Sequence, residues 1–98
     1  MVLTEPPYIS DKVASNVSVV EGNSVTMPCP AKGTPTPRVS WFNKDGYQLT
    51  GNEIGIRVLP GGSLQLDHAE ASDVGQYTCL AQNIVGNTSK DFHLQVFC

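Results

Sequence analysis

Cys29 and Cys79 stand fifty positions apart in a chain of 98 residues, with Trp41 twelve past the first and Tyr77 two before the second. The second cysteine closes the run Asp73-Val74-Gly75-Gln76-Tyr77-Thr78-Cys79. In an extended strand, residues two apart share a face, so Tyr77 and Cys79 are expected to point the same way. Ninety-eight residues suffice for one domain and leave no room for a second. A domain of that size buries about two-thirds of the surface its unfolded chain exposes, which makes a covalent brace useful.

Short runs of alternating apolar residues, separated by Gly, Pro, Asn and Asp, recur along the chain, and none has sustained helical periodicity. Residues 1–7 read as a stiff linker, because Pro6 and Pro7 fix their own φ and restrain what precedes them. The single domain is expected over 8–97. Its first strand should begin at Tyr8 to Ser10 and resume over Asn16 to Val20. Val25, Met27 and Cys29 then alternate inward. Pro28 and Pro30 flank Cys29, and their missing donors are expected to face the first strand, leaving the ladder to the Leu64-Leu66 strand intact. Arg38 to Asn43 follows, with Val39 and Trp41 inward. Lys44-Asp45-Gly46 marks a tight turn, Tyr47 to Thr50 a short strand, and Ile54 to Val58 another. Leu64 and Leu66, then Tyr77, Cys79 and Ala81, then Phe92, Leu94 and Val96 supply the remaining inward faces. At most one short turn is expected near Ala71 to Asp73.

These residues resemble the immunoglobulin superfamily, in its intermediate or I-set form. The resemblance implies an all-β, immunoglobulin-like β-sandwich of two antiparallel sheets with Greek-key topology. It also implies a disulfide between Cys29 and Cys79, covered by Trp41, with Leu66 in the core. Asp73 would cap the turn before Tyr77 and pair with Arg57, and the Tyr77 hydroxyl would bond backbone there. Further runs are similar to the tandem modules of the hemicentin family of extracellular matrix proteins. Val20-Glu21-Gly22-Asn23-Ser24-Val25 and Gly33-Thr34-Pro35-Thr36-Pro37 resemble tandem I-set arrays in general, whereas Leu59-Pro60-Gly61-Gly62-Ser63-Leu64 and Ala81-Gln82-Asn83-Ile84-Val85-Gly86-Asn87, with the Pro6-Pro7 entry, carry the likeness to hemicentins. That likeness implies a secreted protein of the matrix or the ectodomain of a cell-surface protein. The start of the chain lacks the basic and apolar regions of a signal peptide, and one module of a longer secreted protein is expected.

Net charge is −3, and the six cations are scattered singly, so a nucleic-acid partner is not expected. No apolar run approaches the ~20 residues of a spanning helix, and direct membrane insertion is not expected either. His68 and His93 stand alone without metal-ligand spacing, and no nucleophile elbow or phosphate loop occurs. No cofactor, metal or catalytic residue is therefore assigned. Asn16-Val17-Ser18 and Asn87-Thr88-Ser89 match the N-glycosylation triplet, with Asn87 expected in a turn. Cys98 is an odd third cysteine, read as an intermolecular link, a partner to a neighbouring module, or a free thiol without a role.

If Trp41 and Cys79 point inward, Phe42 and Leu80 point outward on adjacent strands, beside His93 and Gln95. This patch is a candidate binding face. Against it stands a cross-strand pair that only stabilises the sheet, worth ~0.2–1 kcal/mol. The whole reads as a non-catalytic extracellular module for adhesion or basement-membrane organisation, acting as spacer and interaction surface. Its partners would be neighbouring modules of the parent chain and a protein of the matrix or cell surface. A receptor's ligand-recognition domain and an intracellular sarcomeric domain are the alternatives.

Overall fold

A computed structural model describes residues 3–98; Met1 and Val2, at the start of the expected linker, lie outside the described residues. The strands are β1 (Glu5–Ile9), β2 (Asn16–Val20), β3 (Val25–Met27), β4 (Ala31–Thr34), β5 (Arg38–Phe42), β6 (Gln48–Leu49), β7 (Ile56–Val58), β8 (Leu64–Leu66), β9 (Gly75–Gln82) and β10 (Asn87–Phe97). One 3-10 turn, Ala71–Asp73, precedes β9. The fold is all-β and immunoglobulin-like. One sheet runs β2-β10-β9-β5-β6; facing it are β3-β8-β7 and the pair β1-β4.

Alternation accounts for the core. Val25 and Met27, Leu64 and Leu66, Tyr77, Cys79 and Ala81, and Phe92 and Leu94 are buried at every second position of their strands. Trp41 is fully buried with its ring 5.3 Å from that of Phe92, and its indole N–H donates to the Gly62 carbonyl at 2.7 Å. A buried indole needs such an acceptor.

Four local expectations change. β1 takes in Glu5-Pro6-Pro7, read above as linker, and Pro7 is buried. Prolines suit this strand because it is an edge, paired only with β4. The ladder expected to survive beside Cys29 does not: β3 pairs with β8 only as far as Met27, opposite Leu64. Pairing resumes on the other side, where Ala31 stands opposite Ile9. Pro28 and Pro30 thus divide one run into β3 and β4, and the Ala31 N–H bonds the Cys29 carbonyl at 2.9 Å.

The sheets are not purely antiparallel, since β2 runs parallel to β10, His93 opposite Asn16 through Phe97 opposite Val20. Finally, the strand expected from Ile54 starts at Ile56. Ile54 is fully exposed beside a loop closed by Glu53. The Glu53 carboxylate accepts from the Thr50 N–H at 3.1 Å, the Thr50 hydroxyl at 3.0 Å and the Gly51 N–H at 3.0 Å. These bonds, that from the Thr50 backbone first, hold its pKa below the usual carboxylate value.

Candidate functional site

The residues of the cysteine-tryptophan signature meet in the core and form a brace. Cys29 and Cys79 are bonded across the two layers with Cα atoms 6.5 Å apart. Leu66 is 2% exposed. The Tyr77 hydroxyl donates to the Asp73 carbonyl at 2.7 Å, and an Asp73 carboxylate oxygen accepts the Glu70 N–H at 2.8 Å. Burial, and then the Asp73 charge, push the Tyr77 phenol up to about 12. Arg57 is not the partner of Asp73. Its Nε lies 3.3 Å from Asp67 Oδ2. The register explains this: Arg57 stands opposite Gln65, two residues before Asp67, whereas the Asp73 carboxylate is committed to its own turn.

The outward face of the five-stranded sheet can be read in rows across the ladders. Phe42 lies opposite Thr78, which lies opposite Asp91; Ser40, Leu80 and Ser89 form the next row. Phe42 and Leu80 are therefore diagonal neighbours, each half-buried, within reach of one another. His93 and Gln95 are not beside them. His93 lies one row beyond Thr78-Asp91, opposite Gln76 and Asn16, and Gln95 lies farther still, opposite Ser18. The Thr78 hydroxyl donates to Asp91 at 2.8 Å, so a polar pair separates the apolar residues from both. Sequence alternation finds the face; only register decides which residues share a row.

Asn87 is the first residue of β10 and not part of a turn, and Asn16 is the first of β2. Both are exposed. His68 is exposed beyond β8 with Nδ1 3.2 Å from the Gly22 carbonyl, and His93 is exposed in β10. Cys98 is exposed and free, its Sγ 3.9 Å from Glu21 Oε2. Among the described residues, no three His, Cys, Asp or Glu side chains converge as a metal site.

A feature outside the expected site stands at the β9–β10 turn. The Asn83 side-chain amide donates to the Glu5 carbonyl at 2.8 Å and the Pro35 carbonyl at 3.1 Å. Its oxygen accepts the Val85 and Gly86 N–H groups at 2.9 and 3.2 Å. One side chain thus ties the turn to the start of β1 and to the loop after β4. The turn presents Ile84, 85% exposed, and Val85. At the far end of the sheet, Val20 and Phe97 are paired and both exposed. An Asn followed three residues later by Gly was the available signal for this turn.

Comparison with known proteins matches residues 7–96 to the immunoglobulin I-set domain. The chain is similar to hemicentin-1 of Mus musculus, 40% identical over 96 residues, which is 98% of this chain and 2% of that protein. It is also similar to neuroglian of Drosophila melanogaster, 39% identical over 95 residues, 97% of this chain and 7% of that protein. It thus spans only a small share of either relative. Among solved structures, the titin M3 domain superposes with a TM-score of 0.83 at 30% identity, over 97% of this chain and 100% of that one.

Proposed function

The chain belongs to the immunoglobulin I-set family, and from that premise we propose that it works outside the cell as a non-catalytic module of a larger protein. Its role is adhesion or matrix organisation, with basement membrane the setting that the likeness to hemicentin-1 favours. The carrying observation is where the chain enters and leaves. Glu5 is held beside the β9–β10 turn, whereas Phe97 pairs with Val20 at the other end of β10. The molecule measures 54 × 27 × 22 Å. A unit with its ends at opposite poles of a long body can be threaded into a linear array, with neighbouring modules meeting at the apolar poles. The disulfide supports an oxidising compartment and weighs against the sarcomeric reading, for which the likeness to titin M3 speaks.

The exposed Ile84-Val85 tip favours a second reading, recognition of a protein ligand. Replacing the module in its parent protein with an unrelated I-set domain separates the two. A spacer keeps partner binding and contour length after the exchange. Loss of partner binding, with the exchanged protein folded and secreted, would overturn the spacer reading in favour of recognition.

A further inference from the structure

Both N-glycosylation triplets open onto one surface. In β2, Asn16 and Ser18 are exposed while Val17 and Val19 pack against the core. In β10, Asn87 and Ser89 are exposed, and the same alternation buries Phe92 and Leu94 farther along. Since Asn16 stands opposite His93 and Ser18 opposite Gln95, the odd-numbered residues of β10 and the even-numbered residues of β2 share the outer face of the five-stranded sheet. The two asparagines are separated along β10 by six residues, about 20 Å at ~3.4 Å per residue. What lies between and around them is polar: Gln82, Ser40, Thr78, Asp91, Gln76 and His93. Phe42 and Leu80 are only half-exposed among these, and the exposed apolar residues of the face, Val20 and Phe97, lie beyond Asn16 at the end of the ladder. The outward faces of β1, β3, β4, β7 and β8 carry no such triplet.

We propose that Asn16 and Asn87 both carry N-linked glycans, and that the two glycans together cover the outer face of the β2-β10-β9-β5-β6 sheet and keep it from tight protein contact. The inference rests on the extracellular reading, because the acceptor must enter the secretory pathway. In each transfer the side-chain amide nitrogen attacks the anomeric carbon of a lipid-diphosphate-linked oligosaccharide. A C–N bond forms, the bond from that carbon to the diphosphate oxygen breaks, the lipid diphosphate leaves, and the amide gives up one proton. Between the two asparagines the face is mostly polar, and its exposed apolar pair, Val20 and Phe97, sits at the far pole, so the middle of the sheet suits a hydrated cover. Contact with protein partners then falls to the poles or to the opposite face.

The test is secretion from eukaryotic cells of the chain behind a secretory leader, with mass measured before and after N-glycosidase. Two glycans are expected, one lost in Asn16→Gln, the other in Asn87→Gln, and both in the double variant. Cover is read separately by the rate at which a bulky maleimide labels Gln76→Cys on this face and Thr26→Cys on the other, each in a Cys98→Ser background. Glycosidase should speed labelling of Gln76→Cys several-fold and leave Thr26→Cys unchanged. A secreted, disulfide-bonded protein with one glycan or none overturns the proposal and leaves the extracellular reading standing. Equal labelling of Gln76→Cys before and after deglycosylation overturns the cover. Retention inside the cell with Cys29 and Cys79 reduced overturns the extracellular reading, and this proposal with it.

Discussion

The Tyr77 hydroxyl donates to a carbonyl four residues upstream, in the turn that reverses the chain before β9. Its phenol titrates at about 12 in the folded chain, against about 10 in an unfolded one. The folded state holds that proton more tightly, so its contribution to stability is fully present below pH ~10 and declines as pH rises towards 12. Tyr77→Phe should cost about 1 kcal/mol at neutral pH. The same change should flatten the alkaline slope of stability, read by urea unfolding across pH 9 to 12. A slope identical in both proteins would show that another group governs it. The Asp73 side of this turn was only partly legible. Its place two residues before Gly75 marks a local cap, but the partner of Arg57 depends on which cross-strand neighbour comes within reach. Asp67 wins because β7 and β8 lie side by side.

Among the elements, inward faces were legible because burial follows a period of two, and that holds from Val25 through Leu94. Pairing was not, since a ladder needs a donor and an acceptor from two distant segments. Pro28 and Pro30 remove donors around Cys29, and the sequence alone does not say that the run then changes partners from β8 to β1. The candidate face suffered likewise: alternation turned Phe42, Leu80, His93 and Gln95 outward, but register sets His93 and Gln95 one and two rows away from the apolar pair. The β9–β10 turn offers the sharpest test at this scale. Asn83→Ala removes four hydrogen bonds that join three segments. The expected loss is about 1–3 kcal/mol, because several backbone groups lose their partner together. Amide exchange at Val85 and Gly86 should accelerate while that at Cys79 stays slow. Unchanged protection at Gly86 would mean that the turn holds its shape without this side chain.

For the whole molecule, the bridge between Cys29 and Cys79 closes a loop across both layers, at a sequence separation of 50. A chain-entropy account assigns roughly 4 kcal/mol to a loop of that length. Replacing both cysteines with alanine should lower stability by about 2–5 kcal/mol, measured as a shift in the urea midpoint. A smaller loss would place most of the stability in the Trp41-Phe92 packing and its neighbours.

The parallel pairing of β2 with β10 also bears on how the molecule meets tension. A pull on the two ends of the chain draws β10 towards one pole and the earlier strands towards the other, along the direction in which these strands lie. Their inter-strand hydrogen bonds cross that direction and are loaded in shear, all at once, instead of opening one after another like a zipper. Resistance to stretching should therefore concentrate in the few residues from Asn16 to Val20 and their partners from His93 to Phe97. Val17→Pro, which deletes one donor from that ladder, should lower the force at which single molecules rupture by more than its effect on urea stability would suggest.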